Sequence, residues 1–455
     1  MKLELPNYFL ADLPPDAPLT PGMITEACQT LRRNREHYLE SRPTRSLVDL
    51  LSGVAAEWLE PGNPFRRAAL AAGPHASGFS EATLANGLDS FFRQVTPENL
   101  NALLAQELAH PLRLDAFVSS TAEDSARRVA MARGPDLLAH LAAGNLPPPT
   151  LTGMILGLLA RSAQFVKCSS RAALIPRLFA HSLYQADAKI GACLEVAAWR
   201  GGHHELEAVL FAEADCVTVT GSDETLAAVR SRLPAHARFL GYGHRVSFGF
   251  VSRDVAGAFQ IKRAAVAAAR DVAAWDQQGC LSPHLIYVEE GGAVKAEAFA
   301  EMLAAELARL EASEPRGPIS VEEAAAIATR RGVYEVRAAH LPGTRHWASE
   351  NSTAWTVVYE ADPRFQVSCL NRFVYVKPVA SLAGALHAAE MVRGQVSTVG
   401  LAAAPEAGEK LARELARWGV TRVCPLGQMQ NPPLTWRHDG RPTLGDLVTW
   451  TDWER

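Results

Sequence analysis

The chain has 455 residues, of which 48% are hydrophobic and 21% are charged, and its formal net charge is −4. This composition is typical of a globular protein with two or three domains, so a disordered or fibrous class is excluded. The weak negative charge gives no general attraction to nucleic acid or to an anionic membrane surface. No apolar run reaches the length of about 18 residues that a membrane span needs. We therefore expect neither a nucleic-acid partner nor a membrane span.

The seven cysteines are scattered along the chain, without a C-x-x-C pair or the Cys/His spacing of a zinc site. This pattern predicts neither a disulfide framework nor a bound metal. The first residues, MKLELPNYFLADLPPDAP, carry acidic residues and prolines where a signal peptide has a basic start and an apolar core. We therefore expect a protein of the reducing cytoplasm.

Residues 1–112 carry helical hydrophobic patterns, separated by breaks such as EPGNP at 60–64, and predict a helical N-terminal lobe. Over residues 113–254, short apolar runs alternate with helix-length segments. This alternation is typical of a doubly wound, Rossmann-like α/β domain with a mainly parallel sheet. The apolar runs lie at 137–142, 164–167, 193–199, 216–219 and 246–251, and the helices start near Leu151, Ala172, His204 and Asp223.

Residues 255–425 predict a second α/β domain, which begins with a long amphipathic helix at 256–275 and a strand at 284–288. Residues 426–455 form a proline-rich tail that contains three tryptophans. Further helices are expected around 297–310, 321–330, 382–392 and 405–418, and further strands around 356–359, 373–376, 398–402 and 421–424.

A cysteine between a glycine and a Ser-Pro turn is the first candidate for chemistry. Cys280 lies in DQQGCLSP at 276–283, where a long helix gives way to a turn. A thiol in such a place stays accessible, and backbone N–H groups or a nearby cation raise its thiolate fraction. The alternative is a small buried hydrophobic residue, which is the commoner role of cysteine.

In a doubly wound sheet, ligands bind beyond the carboxyl ends of the strands, so the loops there are the next candidates. Asn145 lies in AGNLP at 143–147 and either donates its amide N–H to an oxyanion or forms an Asx turn. Lys167 lies in FVKCSSR at 165–171, where the lysine and the two following serines hold ribose hydroxyls or a phosphate. The alternative for this segment is a strand end with a serine N-cap.

Two later loops are ambiguous. Gly221 and Ser222 open a helix whose N–H groups suit a pyrophosphate, but the acidic residues that follow equally favour a simple helix cap. Gly243 belongs to GYGH at 241–244, which lacks the third glycine of a dinucleotide fingerprint. His244 is an acid–base candidate or a structural histidine, and no G-x-S-x-G elbow supports a serine hydrolase.

Taken in order, these loops resemble those of the aldehyde dehydrogenase superfamily, and more closely those of the LuxC-type fatty acyl-CoA reductases of bioluminescence systems. The closer resemblance rests on LAAGNLP at 141–147, FLGYGHRVSFG at 239–249, DQQGCLSPH at 276–284 and CPLGQMQ at 424–430. It extends from about Leu137 to the C-terminus. It implies an aldehyde-dehydrogenase-like α/β fold, with a doubly wound NAD(P)-binding domain at 113–254, a second α/β catalytic domain with the nucleophilic cysteine at 255–425 and a helical N-terminal lobe. The tail at 426–455 is then an assembly arm or part of the acyl tunnel, because aromatic side chains suit either role.

The resemblance implies NADPH-dependent reduction of a long-chain fatty acyl thioester to a fatty aldehyde through an acyl-cysteine. Cys280 is then the nucleophile, and Asn145 and the backbone N–H of Cys280 receive the oxyanion. A separate hypothesis concerns His244, which lies in the loop where the water-activating base of other members stands: it protonates the departing thiolate or the aldehyde oxygen. The implied cofactor-binding residues are Lys167, Ser169, Ser170, Gly221, Ser222 and Gly243.

Two departures from the superfamily pattern refine this expectation. Leu240 stands where aldehyde-oxidising members carry a glutamate that activates water, so hydrolysis of the acyl-enzyme is disfavoured. Ser170 stands where NAD-preferring members often carry a glutamate, and a neutral hydroxyl does not repel a 2′-phosphate. NADPH is therefore the expected cofactor, with NADH as the alternative. Cys168 replaces the usual proline in this turn.

The expected substrate is a fatty acyl-CoA or an acyl-protein thioester, and an acyl-activating synthetase is the expected partner. A homo-oligomer is implied by the superfamily alone. Three other functions fit the same fold: an aldehyde dehydrogenase that acts oxidatively, a non-redox cysteine acyltransferase or thioesterase, and a non-catalytic scaffold.

Overall fold

A computed structural model describes residues 3–14, 17–142, 144, 146–169, 172–255 and 257–455. The chain divides into two compact units. The first comprises Met1–Ser77, Leu88–Gly243 and Pro433–Arg455, and the second comprises Gly78–Gly87 and His244–Pro432.

The N-terminal region is helical, as the sequence predicts. Thr20 and Thr96 begin two of its helices, and the hydroxyl of each accepts a backbone N–H three residues on, ahead of a proline at the first helical position. Buried aromatic residues such as Trp58 and Phe92, whose rings stack 4.9 Å apart, hold the helices together. The helices are α1 Pro21–Asn34, α2 Thr44–Leu59, α3 Pro64–Ser77, α4 Glu81–Phe92, α5 Pro97–Leu108 and α6 Thr121–Ser125.

The first unit contains a five-stranded parallel sheet in the order β4-β3-β2-β5-β6. Strands β2 and β3 are buried along their whole length, which explains their nearly continuous apolar sequence. The elements are β1 Arg128–Arg133, β2 Leu137–Leu141, α7 Pro147–Leu159, β3 Ala163–Cys168, α8 Leu174–Ala186, α9 Ala188–Gly191, β4 Leu194–Ala198, α10 His204–Glu213, β5 Cys216–Thr220, α11 Asp223–Arg230 and β6 Arg238–Tyr242.

Helix α7 begins at Pro147, four residues before the predicted start near Leu151. Three prolines occupy its first turn, where backbone N–H groups have no partner inside the helix and their absence costs little. Strand β6 had no clear sequence signal because all its residues are only half-buried.

The second unit contains a seven-stranded sheet in the order β13-β12-β7-β8-β11-β10-β9, in which β9 is antiparallel to β10. Its first strand, β7, was grouped with the nucleotide-binding domain in the sequence analysis but pairs with β8 and β12 here. The elements are β7 Val246–Val251, α12 Ala258–Ala273, β8 Pro283–Glu289, α13 Ala296–Ser313, α14 Val321–His340, β9 Thr344–Ala348, β10 Thr356–Glu360, β11 Phe373–Val379, α15 Leu382–Ala388, β12 Val396–Ala402, α16 Pro405–Trp418 and β13 Arg422–Pro425.

The C-terminal tail ends in a strand, β14 Thr449–Glu454, which pairs antiparallel with β1 in a separate two-stranded sheet. Every residue of β14 is exposed. The role of the tail as an assembly arm or an acyl tunnel stays a prediction.

The architecture confirms the predicted fold class of two α/β domains with a helical N-terminal lobe. Among the described residues, no helix is long and apolar enough to cross a membrane. The same residues contain no group of three or more His, Cys, Asp or Glu side chains placed to hold a metal ion.

Candidate active site

Cys280 lies in the second unit, on the segment that joins α12 to β8. The N–H of Ser282 donates to the carbonyl of Gly279 over 2.9 Å, so the cysteine lies inside a four-residue turn. Cys280 is exposed. An exposed thiol at this position is open to a substrate, as nucleophilic catalysis requires.

The four cysteines of the first unit, in contrast to Cys280, are all buried. Burial raises the pKa of Cys28, Cys168 and Cys193 to about 12 and the pKa of Cys216 to about 11. A thiol with such a pKa is protonated at neutral pH and is a poor nucleophile. Exposure therefore separates Cys280 from these four residues.

The turn before Cys280 has an unusual backbone. Trp275, Asp276 and Gln277 are consecutive non-glycine residues with φ values of 51°, 50° and 64°. Each such residue costs roughly 1–2 kcal/mol in the left-handed region. Backbone of this kind persists only where the surrounding contacts hold it firmly.

The contacts that hold this turn come from the start of β11. The Gln277 Nε2 donates to the carbonyls of Pro283 and Phe373, and its Oε1 accepts the N–H of Phe373, each over 2.8 Å. The Asp276 carboxylate lies 2.8 Å from the Arg372 guanidinium. The segment that leads to Cys280 is therefore anchored to a strand almost one hundred residues later in the chain.

Two histidines of the second unit, His244 and His284, are candidates for acid–base chemistry. His244, the predicted acid–base residue, is exposed. His284 is buried at the start of β8, and its Nδ1 accepts the N–H of Ser368 over 3.1 Å, which places the ring proton on Nε2. Burial, and then the neighbouring His244, lower the pKa of His284 to about 4. Sequence reasoning missed His284, although it directly follows the cysteine motif.

The first unit presents a topological switch point between β2 and β5, because the chain runs from β2 to β3 on one side and from β5 to β6 on the other. Ligands of doubly wound sheets bind at such a point. Gly144 follows β2 and Gly221 follows β5. Ser169 lies beside the first of these loops, with its Oγ 3.6 Å from the position that a Cβ on Gly144 would take.

Lys167 lies at the carboxyl end of β3 and is only 8% exposed. Its Nζ lies 5.7 Å from the ring centre of Trp199, the residue that follows β4. Burial lowers the pKa of Lys167, and Glu207 opposes this shift. Among the described residues, no hydrogen bond or ion pair to the Nζ is present, so the ammonium has capacity for a ligand oxygen. Trp199 was not singled out from the sequence, since its contact with Lys167 joins two separate strands.

Ser222 is a helix cap, which is one of the two roles that the sequence allows for it. Its Oγ accepts the N–H of Thr225 over 3.3 Å and so caps α11. Gly221 donates its N–H to the Tyr242 carbonyl over 3.2 Å. A Cβ on Gly243 would lie 2.3 Å from the Asp223 Oδ1, so a side chain at this position would require Asp223 to move. A cofactor contact by any of these residues stays a prediction.

Asn145 and Ser170, the predicted oxyanion donor and the residue behind the NADPH preference, lie outside the described residues. Leu240 is described. It lies on β6 and packs against the hydrophobic core of the first unit, as an apolar side chain does.

A family model also matches the amino-acid sequence of this chain. The model described as "Acyl-CoA reductase (LuxC)" matches residues 39–450, which is most of the chain. The chain belongs to the LuxC family.

Curated relatives of this LuxC-family chain carry a consistent name. The "Long-chain acyl-protein thioester reductase 2" of Photobacterium leiognathi is 25% identical over 320 residues, and the alignment covers 70% of this chain and 63% of the relative. The "Long-chain acyl-protein thioester reductase" of Aliivibrio fischeri is 26% identical over 327 residues, with 70% and 63% covered. The chain therefore spans less than two thirds of the length of these relatives.

Solved structures show the fold of the LuxC-family chain. A PutA protein from Anabaena variabilis, described as an aldehyde dehydrogenase, superposes with a TM-score of 0.68 at 17% identity, covering 96% of this chain and 93% of that one. The glyceraldehyde-3-phosphate dehydrogenase GapN from Methanocaldococcus jannaschii, solved with NADP, gives a TM-score of 0.68 at 12% identity, with 96% and 95% covered. The predicted aldehyde-dehydrogenase-like fold is confirmed.

Proposed function

We propose that this chain reduces a long-chain fatty acyl thioester to a fatty aldehyde, with a reduced nicotinamide nucleotide as the hydride donor and Cys280 as the site of a covalent acyl intermediate. The observation that carries the proposal is the exposed Cys280 on an anchored turn in a LuxC-family chain. The names of the curated relatives support a thioester substrate.

The reaction proceeds in two stages at one sulfur atom. The Cys280 thiolate attacks the acyl carbonyl, and the carrier thiolate leaves with a proton, so that one thioester replaces another. A bound reduced nicotinamide would supply hydride to the carbonyl carbon of the acyl-cysteine. The resulting thiohemiacetal oxyanion collapses to the aldehyde and regenerates the thiolate. The Asn145 amide and the Cys280 backbone N–H stabilise the oxyanion of both stages, and His244 supplies the proton.

The nucleotide is held by the first unit in this proposal. Lys167 meets the adenosine ribose or its 2′-phosphate, because its buried ammonium has capacity for an acceptor. Ser169 and Ser170, which follow Lys167 closely in the sequence, are further proposed contacts of the nucleotide, and Gly221, Ser222 and Gly243 are the proposed contacts of the pyrophosphate. Ser170 is neutral and favours NADPH over NADH. The NADP complex of GapN, a protein of the same fold, supports a nicotinamide nucleotide.

Leu240 makes the acyl-cysteine a poor target for water in this proposal. Its side chain packs into a hydrophobic core and has no atom that accepts a proton. Without a base at this position the intermediate survives until hydride arrives, so reduction is favoured over hydrolysis.

The acyl donor in this proposal is an acyl-protein or an acyl-CoA thioester, handed over by an acyl-activating synthetase. The enzyme works in the cytoplasm as a homo-oligomer. The scattered cysteines suit a reducing compartment, and the acyl-protein donor follows the wording of the relatives' names.

The test is incubation with a radiolabelled long-chain acyl-CoA, followed by addition of NADPH. We expect label on Cys280, identified by mass spectrometry of the peptide, and its conversion to labelled aldehyde only after NADPH is added. Loss of label at the same rate without NADPH would indicate a thioesterase. A complete absence of label in the wild-type chain, together with no aldehyde, would indicate a scaffold. Formation of acid from added aldehyde and NADP⁺ would indicate an oxidative enzyme.

A further inference from the structure

Ser247 holds the peptide group that follows the cysteine. Its Oγ donates to the carbonyl of Cys280 over 2.8 Å and accepts the N–H of Thr398 over 3.2 Å. Ser247 is completely buried, with 0% of its surface exposed. The hydroxyl therefore acts both as a donor and as an acceptor. Through these two hydrogen bonds it connects the backbone of Cys280 to strand β12.

The sheet is irregular on both sides of this serine. Ser247 pairs with Pro283 and Phe248 pairs with Leu285, so His284 is an extra residue on β8. On the other side, Val246 pairs with Val396 and Ser247 pairs with Thr398, so Ser397 is an extra residue on β12.

Such β-bulges bend the strand locally and redirect side chains, and they are common next to active sites. Two of them flank Ser247, whose hydroxyl donates to the Cys280 carbonyl. The register shifts thus coincide with the point at which the sheet meets the cysteine turn.

The peptide group before the cysteine is also fixed. The Gly279 carbonyl accepts the N–H of Ser282 over 2.9 Å, which sets the plane of the peptide between Gly279 and Cys280. Ser247 sets the plane of the next peptide through the Cys280 carbonyl. With both flanking planes fixed, the direction of the Cα–Cβ bond of Cys280 is also fixed.

We propose that Ser247 is a positioning residue for acyl transfer to Cys280. It fixes the line along which the sulfur approaches a thioester carbonyl, without contact with the substrate. This inference rests on the proposed function of Cys280 as the nucleophile. Small misplacements of a nucleophile are costly, because acyl transfer needs an aligned approach at about 3–3.5 Å.

The test compares Ser247→Ala with Ser252→Ala. Ser252 is a matched control: it is a buried serine of the same unit, 5% exposed, whose hydroxyl donates to Glu289 over 3.1 Å. Two rate constants are measured on each protein, the acylation of Cys280 by a long-chain acyl-CoA and its alkylation by iodoacetamide. Alkylation by a small reagent reports the thiolate and its access, whereas acylation also requires alignment.

For Ser247→Ala we expect acylation to slow about tenfold, with a lower kcat and an unchanged KM for the thioester, while alkylation changes less than about twofold. Ser252→Ala keeps both rate constants. Ser247→Thr restores the hydroxyl and recovers at least part of the acylation rate.

Wild-type acylation of Cys280 with an unchanged rate in Ser247→Ala would overturn the positioning role and leave the proposed function intact. Equal losses of acylation and alkylation, with a lower melting temperature, would also overturn it, because they show a structural role only. A Cys280→Ala variant that still accepts the acyl group would overturn the proposed function itself.

Discussion

Asp276 and Arg372 form an ion pair of 2.8 Å beneath the turn that carries Cys280, and the two side chains are only 2% and 1% exposed. A second carboxylate, that of Glu311, lies 2.9 Å from the same guanidinium, and the N–H of Gly317 donates to Asp276 over 3.1 Å. Burial raises the pKa of Asp276, and Arg372 opposes this effect. The pair is therefore the main charge compensation for a buried carboxylate in this unit.

Removal of one partner of this ion pair is expected to lower the free energy of unfolding strongly. Arg372→Met leaves Asp276 buried without its main cation, and we expect the free energy of unfolding of the second unit to fall by about 3–5 kcal/mol. The control is Arg364→Met, which breaks a pair in which the arginine is 83% exposed, and there we expect less than about 1 kcal/mol. Urea denaturation followed by circular dichroism measures both changes. Equal effects of the two substitutions would contradict the structural importance of the buried pair.

Exposure predicts which cysteine reacts first. When the folded protein is treated briefly with iodoacetamide, we expect alkylation of Cys280, while Cys28, Cys168, Cys193 and Cys216 react only after unfolding. Peptide mass spectrometry before and after denaturation gives the order. Early labelling of any of the four buried cysteines would show that the first unit opens more readily than its packing suggests.

The close contact of α7 with the central strands predicts the effect of a single methyl group. A Cβ on Gly157 would lie 2.4 Å from the Gln164 Cδ, and Gln164 is hydrogen-bonded to His140 over 2.8 Å. Gly157→Ala is therefore expected to destabilise the first unit by about 1–3 kcal/mol. Gly53→Ala is the control, because no atom lies within 4 Å of its added Cβ and the position is in the exposed face of α2. We expect Gly53→Ala to stabilise the first unit by about 0.5–1 kcal/mol. Melting temperatures test whether Gly157→Ala is less stable, and Gly53→Ala more stable, than the wild type.

His284 predicts a dependence of stability on pH. Its pKa falls from 6.5 to about 4 in the folded chain, so between these values the unfolded state binds more protons than the folded state. Stability therefore decreases as the pH falls from 6.5 towards 4, by at most about 1.4 kcal/mol per pH unit for this group. We expect His284→Asn to reduce the slope of unfolding free energy against pH in this window. An unchanged slope in His284→Asn would show that this histidine does not carry the dependence.

The proposed cofactor site predicts that Lys167 contributes to the affinity for the nucleotide. Lys167→Met is expected to weaken NADPH binding roughly 10- to 100-fold, the effect of losing a charged hydrogen bond. Lys189→Met is the control, because Lys189 is exposed and contacts Tyr38 on another part of the first unit. Quenching of tryptophan fluorescence by NADPH and by NADH gives the dissociation constants. An unchanged affinity in Lys167→Met would remove Lys167 from the cofactor site.

Regular, strongly periodic elements could be predicted from the sequence. Helix α16 has the predicted bounds, and β5 differs from its prediction by one residue, because their patterns are local and uninterrupted. The short strands β1, β9 and β14 had no such signal, since most of their residues are half-buried or exposed and their pairing partners are distant or antiparallel.

The candidate site also combines a local motif, which the sequence reveals, with long-range contacts, which it does not reveal. The motif around Cys280 is local and could be read directly. The left-handed turn before it depends on Arg372, a residue that is 96 positions away. The contacts of Ser247 depend on the register of three strands, and a sequence pattern does not specify a register shift.

The extra residues in β8 and β12 restrict how this chain can change in evolution. Deletion of His284 or Ser397 would let each strand pair evenly with β7, but the strand would lose the bend that the bulge gives it beside Ser247. Substitutions at the two bulges should therefore be tolerated far better than single-residue insertions or deletions, so that the length of these strands is more constrained than their composition.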